Sequence, residues 1–275
     1  MEVLAPAKVN LGLSVLGRRS DGYHELHTLF AALAVTDRLW IEAAPEGISL
    51  EVRGASLPST QDNLVYRAAA AYLEAAGRPG GVRAVLEKRL PLASGLGGGS
   101  SNAAATLKAL ARLYPADLDL FALARQLGAD VPFFLLGGLA EGRGIGERLT
   151  PLPFQAIHLV LVNPGLAVSS AEAYRGLTPA MWQPELDLPG ILEALRAGAE
   201  PPYWNTLERP VFGLHPYLEQ LKLELYRIGL RGVLLSGSGA TLFGLAEDED
   251  QARFLAQRLR EKYPGFWIVA TQTVS

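Results

Sequence analysis

The chain has 275 residues, 49% hydrophobic and 19% charged, with 25 basic and 28 acidic side chains and a net charge of −3. That composition marks a globular protein with room for one large domain or two ordinary ones, and it gives no support to a disordered chain or to a nucleic-acid or membrane-surface role. Cysteine is absent, which excludes disulfides, thiolate metal centres and cysteine nucleophiles and fits a cytoplasmic protein. No apolar run approaches a bilayer span, and Lys8 and Asn10 interrupt the stretch where a secretory leader would be apolar.

Lys8 to Leu16 alternates Val9, Leu11, Leu13 and Val15 with Lys8, Asn10, Gly12 and Ser14. This period of two predicts a strand with Lys8 and Asn10 on one side. Lys8 is either an ordinary solvated strand lysine or a group facing a ligand, for which its small neighbours leave room. The run 17–22 is a turn. It leads through Tyr23 and His24 into an apolar strand reaching Val35. A tyrosine beside a histidine suits stacking on a planar ring; a packed tyrosine with a solvated histidine is the plainer reading. His24, Glu25 and His27 lack a third metal ligand at useful spacing. Arg38 to Ala43 and Ile48 to Arg53 read as a hairpin. Asp62 to Ala76 reads as a helix stopped by Gly77, with Asn63 in its first turn.

Gly81 to Arg89 is strand-like, and Ser100 to Tyr114 is helical. Between them, Pro91-Leu92-Ala93-Ser94-Gly95-Leu96-Gly97-Gly98-Gly99 has four glycines within five residues. Such backbone takes up positive φ, approaches a ligand closely and turns consecutive N–H groups toward an anion. The following helix adds its first-turn donors, with Ser100 or Ser101 as cap or phosphate contact. No Gly-Lys-Ser/Thr follows the glycines, and the dinucleotide spacing fails at Ser100. A surface turn is the bland alternative, but the strand-to-helix setting favours phosphate binding.

Leu118 to Leu127 is a helix closed by Gly128. Asp130 then precedes the apolar run 131–135. It serves either as a helix N-cap, with Pro132 in the first turn, or as a base in apolar surroundings, and the roles are compatible. Glycines at 137, 138, 142, 144 and 146 make a second bend, a hairpin or bulge. A composition shift at Pro151 to Pro153 separates residues 1–150 from 151–275. The second part reads strand, helices, two strands around Ser236 to Ala240, helix, strand. That β-α-β-β-α-β order is ferredoxin-like. Ser236 to Ala240 is a tight turn or a loop that closes over phosphates.

Three separated motifs, Pro6 to Leu11, Leu92 to Asn102 and Leu235 to Thr241, together resemble the GHMP kinase superfamily of small-molecule ATP kinases. Arg18 to His24, Asp62 to Leu64 and Gly128 to Phe134 are similar to the member acting on a cytidine-diphosphate-linked sugar alcohol of the non-mevalonate isoprenoid route. The resemblance implies an α+β fold of two-layer α/β parts. These are an N-terminal ribosomal-protein-S5-domain-2-like ATP-binding part and a C-terminal ferredoxin-like part. It implies ATP and Mg2+ as cofactors, transfer of the γ-phosphate to the 2-hydroxyl, and Lys8 with Asp130 as the catalytic pair. Residues Pro91, Leu92, Ala93, Ser94, Gly95, Leu96, Gly97, Gly98, Gly99, Ser100 and Ser101 would hold ATP, with Asn63 near its adenine or ribose. Asn10, Tyr23, His24, Ser170 and Tyr174 would hold the substrate. No residue pattern singles out ligands for the metal.

Overall fold

Two long strands, β1 (Glu2–Arg18) and β2 (His24–Ala44), open the chain and pair with each other. The structure is a computed structural model and describes residues 1–77 and 79–275. The chain divides into two compact units. One comprises Met1–Ala7, Thr36–Leu90 and Gly97–Gly137; the other comprises Lys8–Val35, Pro91–Leu96 and Gly138–Ser275.

In the first unit, the second half of β2 pairs antiparallel with β4 (Gly81–Glu87), and β3 (Ile48–Arg53) pairs parallel with β4. The hairpin expected from Arg38–Ala43 and Ile48–Arg53 therefore does not form, because β4 lies between its two strands. The burial explains why. Val82, Ala84 and Leu86 of β4 are buried, as a central strand requires, whereas Ser49, Glu51 and Arg53 keep β3 exposed as an edge. Helices α1 (Leu64–Ala76), α2 (Gly98–Leu113), α3 (Leu120–Leu127) and α4 (Val131–Leu136) complete the unit, with α2 packed on the other three. α1 buries Val65, Ala68, Ala69 and Tyr72, a 3.6-period stripe, and ends at Gly77 in the left-handed conformation expected of a C-terminal glycine. α2 buries Ala103, Ala104, Leu107 and Leu110; each fully buried leucine stabilises by about 1.5–3 kcal/mol.

In the second unit, the first half of β2 pairs with β5 (Leu139–Gly144), which forms a hairpin with β6 (Arg148–Leu152). Pro151 is tolerated there because β6 lies at the edge of its sheet, beside β5. A four-stranded antiparallel sheet has the order β10-β7-β9-β8, built from β7 (His158–Asn163), β8 (Arg231–Leu235), β9 (Leu242–Ala246) and β10 (Trp267–Gln272). α5 (Ser170–Arg175), α6 (Leu188–Ala197), α7 (Glu208–Leu214), α8 (Pro216–Ile228) and α9 (Glu249–Lys262) join its strands. The order β-α-β-β-α-β is the ferredoxin-like one. Leu218, Leu221 and Leu225 of α8 and Leu255 and Leu259 of α9 form one core with Val160, Val233 and Leu242 of the sheet. Leu13 and Val15 of β1 enter that same core. They are held there by Leu13 N–H donating to Trp204 O at 2.8 Å and Thr206 N–H to Leu13 O at 2.9 Å. Among the described residues no helix is long and apolar enough to cross a membrane.

Candidate active site

β1 brings Lys8 and Asn10 to the same side, as its alternation requires. Both faces of the strand are covered: Lys8 is 4% exposed and Asn10 1%. The reading of Lys8 as a solvated strand lysine is therefore overturned. A buried ammonium is costly unless hydrogen-bonded. Lys8 Nζ donates to Asn10 Oδ1 at 2.7 Å and lies 5.5 Å from the centre of the Phe30 ring. A Cβ built on Gly237 would sit 3.4 Å from both Lys8 Nζ and Asn10 Oδ1, so the loop joining β8 to β9 passes directly over this pair.

That loop is bonded to the start of the glycine-rich segment. Thr241 N–H donates to Ser94 O at 3.2 Å, and Ser236 Oγ donates to Gly95 O at 3.0 Å. Lys8 N–H donates to Leu96 O at 3.0 Å from the other side. At Gly95 only glycine fits: φ is +77°, and a Cβ would approach Ser236 O to 1.9 Å. Asn205 Nδ2 fixes the loop by donating to Leu235 O at 2.8 Å and Gly237 O at 2.7 Å. Residues 236–240 are thus the turn between two strands, and they pack on the first glycine segment.

The loop continues to the expected substrate residues. Ser238 Oγ and Ser170 Oγ are 2.8 Å apart. Ser170 begins α5, and Tyr174 follows one turn later on the same side. The Tyr174 ring stacks on His24 with centroids 5.3 Å apart and planes inclined by 25°. Burial, and then the charge of Arg18, lowers the His24 pKa below its usual value. His24 is therefore neutral at pH 7, with one ring donor and one ring acceptor. Tyr23 is 61% exposed, on a turn closed by Arg19 N–H donating to Tyr23 O at 2.8 Å and Tyr23 N–H to Asp21 Oδ1 at 3.0 Å. His27 points into the core instead. Leu186 N–H donates to its Nδ1 at 3.0 Å, which leaves the proton on Nε2, 3.1 Å from Glu141 Oε1.

The first unit holds the rest of the predicted set. Gly97, at φ +70°, is the N-cap of α2, which starts at Gly98. Ser100 and Ser101 therefore lie inside the first turn and cap nothing. The left-handed glycine moves the helix start two residues ahead of the expected one. The first intrahelical bond runs from Ser101 N–H to Gly97 O at 2.9 Å, so the N–H groups of Gly98, Gly99 and Ser100 are the first-turn donors. Ser101 Oγ is buried with no hydrogen-bond partner. Asn63 caps α1: its Oδ1 accepts from Val65 N–H at 2.9 Å, and its Nδ2 donates to Pro58 O at 2.8 Å. Leu64 Cδ1 lies 3.4 Å from where a Gly99 Cβ would be, so the start of α1 abuts the first turn of α2. Asp130 stands before α4 with Pro132 in the first turn, but its backbone is helical and its carboxylate makes no capping bond. The capping role is not realised, and the carboxylate is set against the buried run Val131, Pro132, Phe133 and Phe134.

Beneath the start of α2 lies a network that the sequence did not single out. Lys88 Nζ donates to Asp37 Oδ2 and, at 3.2 Å, to Asn102 Oδ1. Asn102 Nδ2 donates to Asp37 Oδ2 at 3.0 Å. Asp37 Oδ1 accepts from the N–H groups of Arg89 at 2.7 Å and Leu90 at 2.9 Å. All three side chains are buried. The only hint in the sequence was scarcity, since Lys88 is one of five lysines. Thr28 and Asn205, both buried polar residues, were missed as well. No group of three or more His, Cys, Asp or Glu side chains able to hold a metal ion occurs among the described residues.

A glycine segment ending on a helix start, a buried strand lysine and a ferredoxin-like partner are features of a known class. The family of the GHMP kinases N terminal domain matches residues 63–138, and that of the GHMP kinases C terminal matches 184–265. This chain belongs to the GHMP kinases, ATP-dependent phosphotransferases.

Among particular proteins, it is similar to a 4-diphosphocytidyl-2-C-methyl-D-erythritol kinase of Thermus thermophilus. The two are 57% identical over 260 residues, 94% of this chain and 93% of that protein. The enzyme of the same name from Deinococcus radiodurans is 54% identical over 275 residues, 98% of this chain and 91% of that protein. The crystal structure of a 4-(cytidine 5'-diphospho)-2C-methyl-D-erythritol kinase matches with TM-score 0.92 at 55% identity, covering 100% of each chain. A homoserine kinase from Cytophaga hutchinsonii, 21% identical over 100% of this chain and 94% of its own, shares the fold with TM-score 0.75.

Proposed function

We propose that this chain transfers the γ-phosphate of ATP to the 2-hydroxyl of 4-diphosphocytidyl-2-C-methyl-D-erythritol, in the non-mevalonate route to isoprenoid precursors. The relatives of that name support the substrate. Within the chain, the observation that carries the reading is the continuity from Lys8 through Gly237 and the Ser238–Ser170 contact to the Tyr174–His24 stack. One loop links a buried cation to a pair of rings suited to a pyrimidine.

On this reading Asp130 accepts the alcohol proton as the oxygen-to-γ-phosphorus bond forms and the bond to the ADP oxygen breaks, and Lys8 offsets the developing negative charge. Pro91 to Ser101 hold the ATP phosphates through backbone N–H groups, and Asn63 stands near the adenine or ribose. Tyr23, His24 and Tyr174 hold the cytosine, with Ser170 and Asn10 as polar contacts. The unpartnered, buried hydroxyl of Ser101 suits a phosphate oxygen or Mg2+. When bound near Ser101, Mg2+ would offset the negative charge of the phosphates. Residues 1–150 act as the ATP-binding part and 151–275 as the ferredoxin-like part; the two family matches fall on either side of that boundary. The working compartment is the cytoplasm, in keeping with a chain that has no cysteine.

ADP release with Mg2+-ATP tests the reading, with the cytidyl compound, homoserine and galactose assayed in parallel. Turnover of the cytidyl compound alone is expected. Turnover of another alcohol in its place would discard the substrate and retain the kinase. Asp130→Asn is expected to lower turnover by about 10²–10⁴-fold with ATP affinity little changed, and a variant within a few fold of wild type would remove Asp130 from its role.

A further inference from the structure

Lys8 belongs to a directed chain of buried hydrogen bonds. Its Nζ donates to Asn10 Oδ1 at 2.7 Å; Asn10 Nδ2 donates to Thr28 Oγ1 at 2.8 Å; Thr28 Oγ1 donates to Gly12 O at 2.7 Å. Every member is buried, and Thr28 is 0% exposed. The polarity of the chain is forced from its far end. A backbone carbonyl only accepts, so the Thr28 hydroxyl must direct its single proton at Gly12 and present lone pairs to Asn10. Asn10 must then turn its NH2 toward Thr28 and its oxygen toward Lys8. With the amide turned over, NH2 would face an ammonium, donor against donor, out of reach of water. Thr28 and Phe30 lie two apart on β2, so both reach the side of the sheet where Lys8 lies. The Phe30 ring flanks the ammonium there.

We infer that Thr28 is a positioning residue for the kinase reaction: through Asn10 it fixes the direction of the Lys8 ammonium. The inference rests on the role given to Lys8 above. It assigns function to a residue that touches neither Lys8 nor, by its complete burial, any substrate.

Thr28→Val keeps the shape of the side chain and removes both its donor and its acceptor. It leaves Asn10 NH2 buried without that acceptor, so the amide loses the bond that holds its far side. Its kcat is expected to fall about tenfold or more, since one buried partner is lost, while KM for ATP stays within about twofold. Thr28→Ser keeps the hydroxyl and is expected to restore kcat to within about threefold of wild type. Thr28→Ala gives the same comparison should the valine variant fail to fold. A purely structural role would lower the melting temperature and spare kcat of the folded fraction, so kcat is referred to active protein counted by ATP binding. The decisive arm is the double variant. In the Lys8→Met background, Thr28→Val is expected to change residual turnover by less than about twofold, because the group it positions is gone. Full multiplication of the two losses would overturn the relay, as would wild-type kcat in Thr28→Val alongside an inactive Lys8→Met. Wild-type turnover in Lys8→Met itself would instead overturn the role of Lys8, and the relay with it.

Discussion

Two of the five lysines are buried on strands or strand ends, and they are held in different ways. Lys88, 7% exposed, sits in the first unit against Asp37, whose second oxygen takes two backbone N–H groups. Every member of that network is answered by another member or by the chain beside it. Lys8, 4% exposed, sits in the second unit and donates to a neutral amide, with a loop of small residues laid over it. One cation is embedded in the polar scaffold beneath a helix start. The other is bonded to Asn10 and lies under a loop. Burial alone does not tell the two lysines apart; the groups around each ammonium do.

The largest expected effect is on the chemistry of one lysine. Lys8→Met is expected to lower turnover by about 10²–10⁴-fold and to cost less stability than Lys88→Met. Single-turnover kinetics and urea unfolding of the same preparation check it. Lys88→Met is expected to do the reverse. Asp37 is left charged in the interior, and stability falls by about 3–5 kcal/mol. If both variants lost the same stability, or both kept turnover, the contrast between the two lysines would collapse.

A smaller effect sharpens the contrast by leaving both lysines alone. Tyr174→Ala removes the ring stacked on His24. KM for the cytidyl substrate is expected to rise by an amount equivalent to about 1–3 kcal/mol, with kcat for bound substrate nearly kept. A loss confined to kcat would remove Tyr174 from substrate binding.

The smallest effect concerns a buried group that escapes its charge. Burial lowers the His27 pKa below its ordinary 6.5, with Arg143 adding to the shift and Glu141 and Glu185 opposing it. The unfolded chain therefore binds the proton more readily than the folded one. Stability contributed by His27 is complete above pH 6.5 and is lost as pH falls through that value toward the folded pKa. His27→Gln is expected to melt with a shallower dependence on pH between about 7.5 and 5.5. An unchanged slope would locate the acid sensitivity elsewhere.

Much of this was legible in the residues because it is local. The alternation of 8–16 places Lys8 and Asn10 together, and the glycines of 95–99 announce the tight bend that leads into α2. The element order of 157–271 yields the ferredoxin-like sheet. What escaped depends on distant partners. Asp37 and Lys88 are 51 positions apart. Thr28 reads as one polar residue in an apolar strand, and its meaning comes from Asn10, 18 positions earlier. β4 enters between β2 and β3 because of what flanks it, not because of any turn residue. The start of α2 was misjudged because serine is the usual cap, and Gly97 reaches the same end through its φ.

The threading of the second unit has a consequence for synthesis. Its first segment, Lys8–Val35, is anchored by Trp204 and Thr206 at Leu13 and by Val274 N–H at Ala32 O, 2.9 Å away. Those anchors leave the ribosome almost two hundred residues later, or more. Until then the strand carrying Lys8 is an apolar ribbon without its final partners, the kind of segment that chaperones hold and that aggregates when crowded. Lys8 is translated long before these anchors, and the strand that carries it completes its pairing only after them.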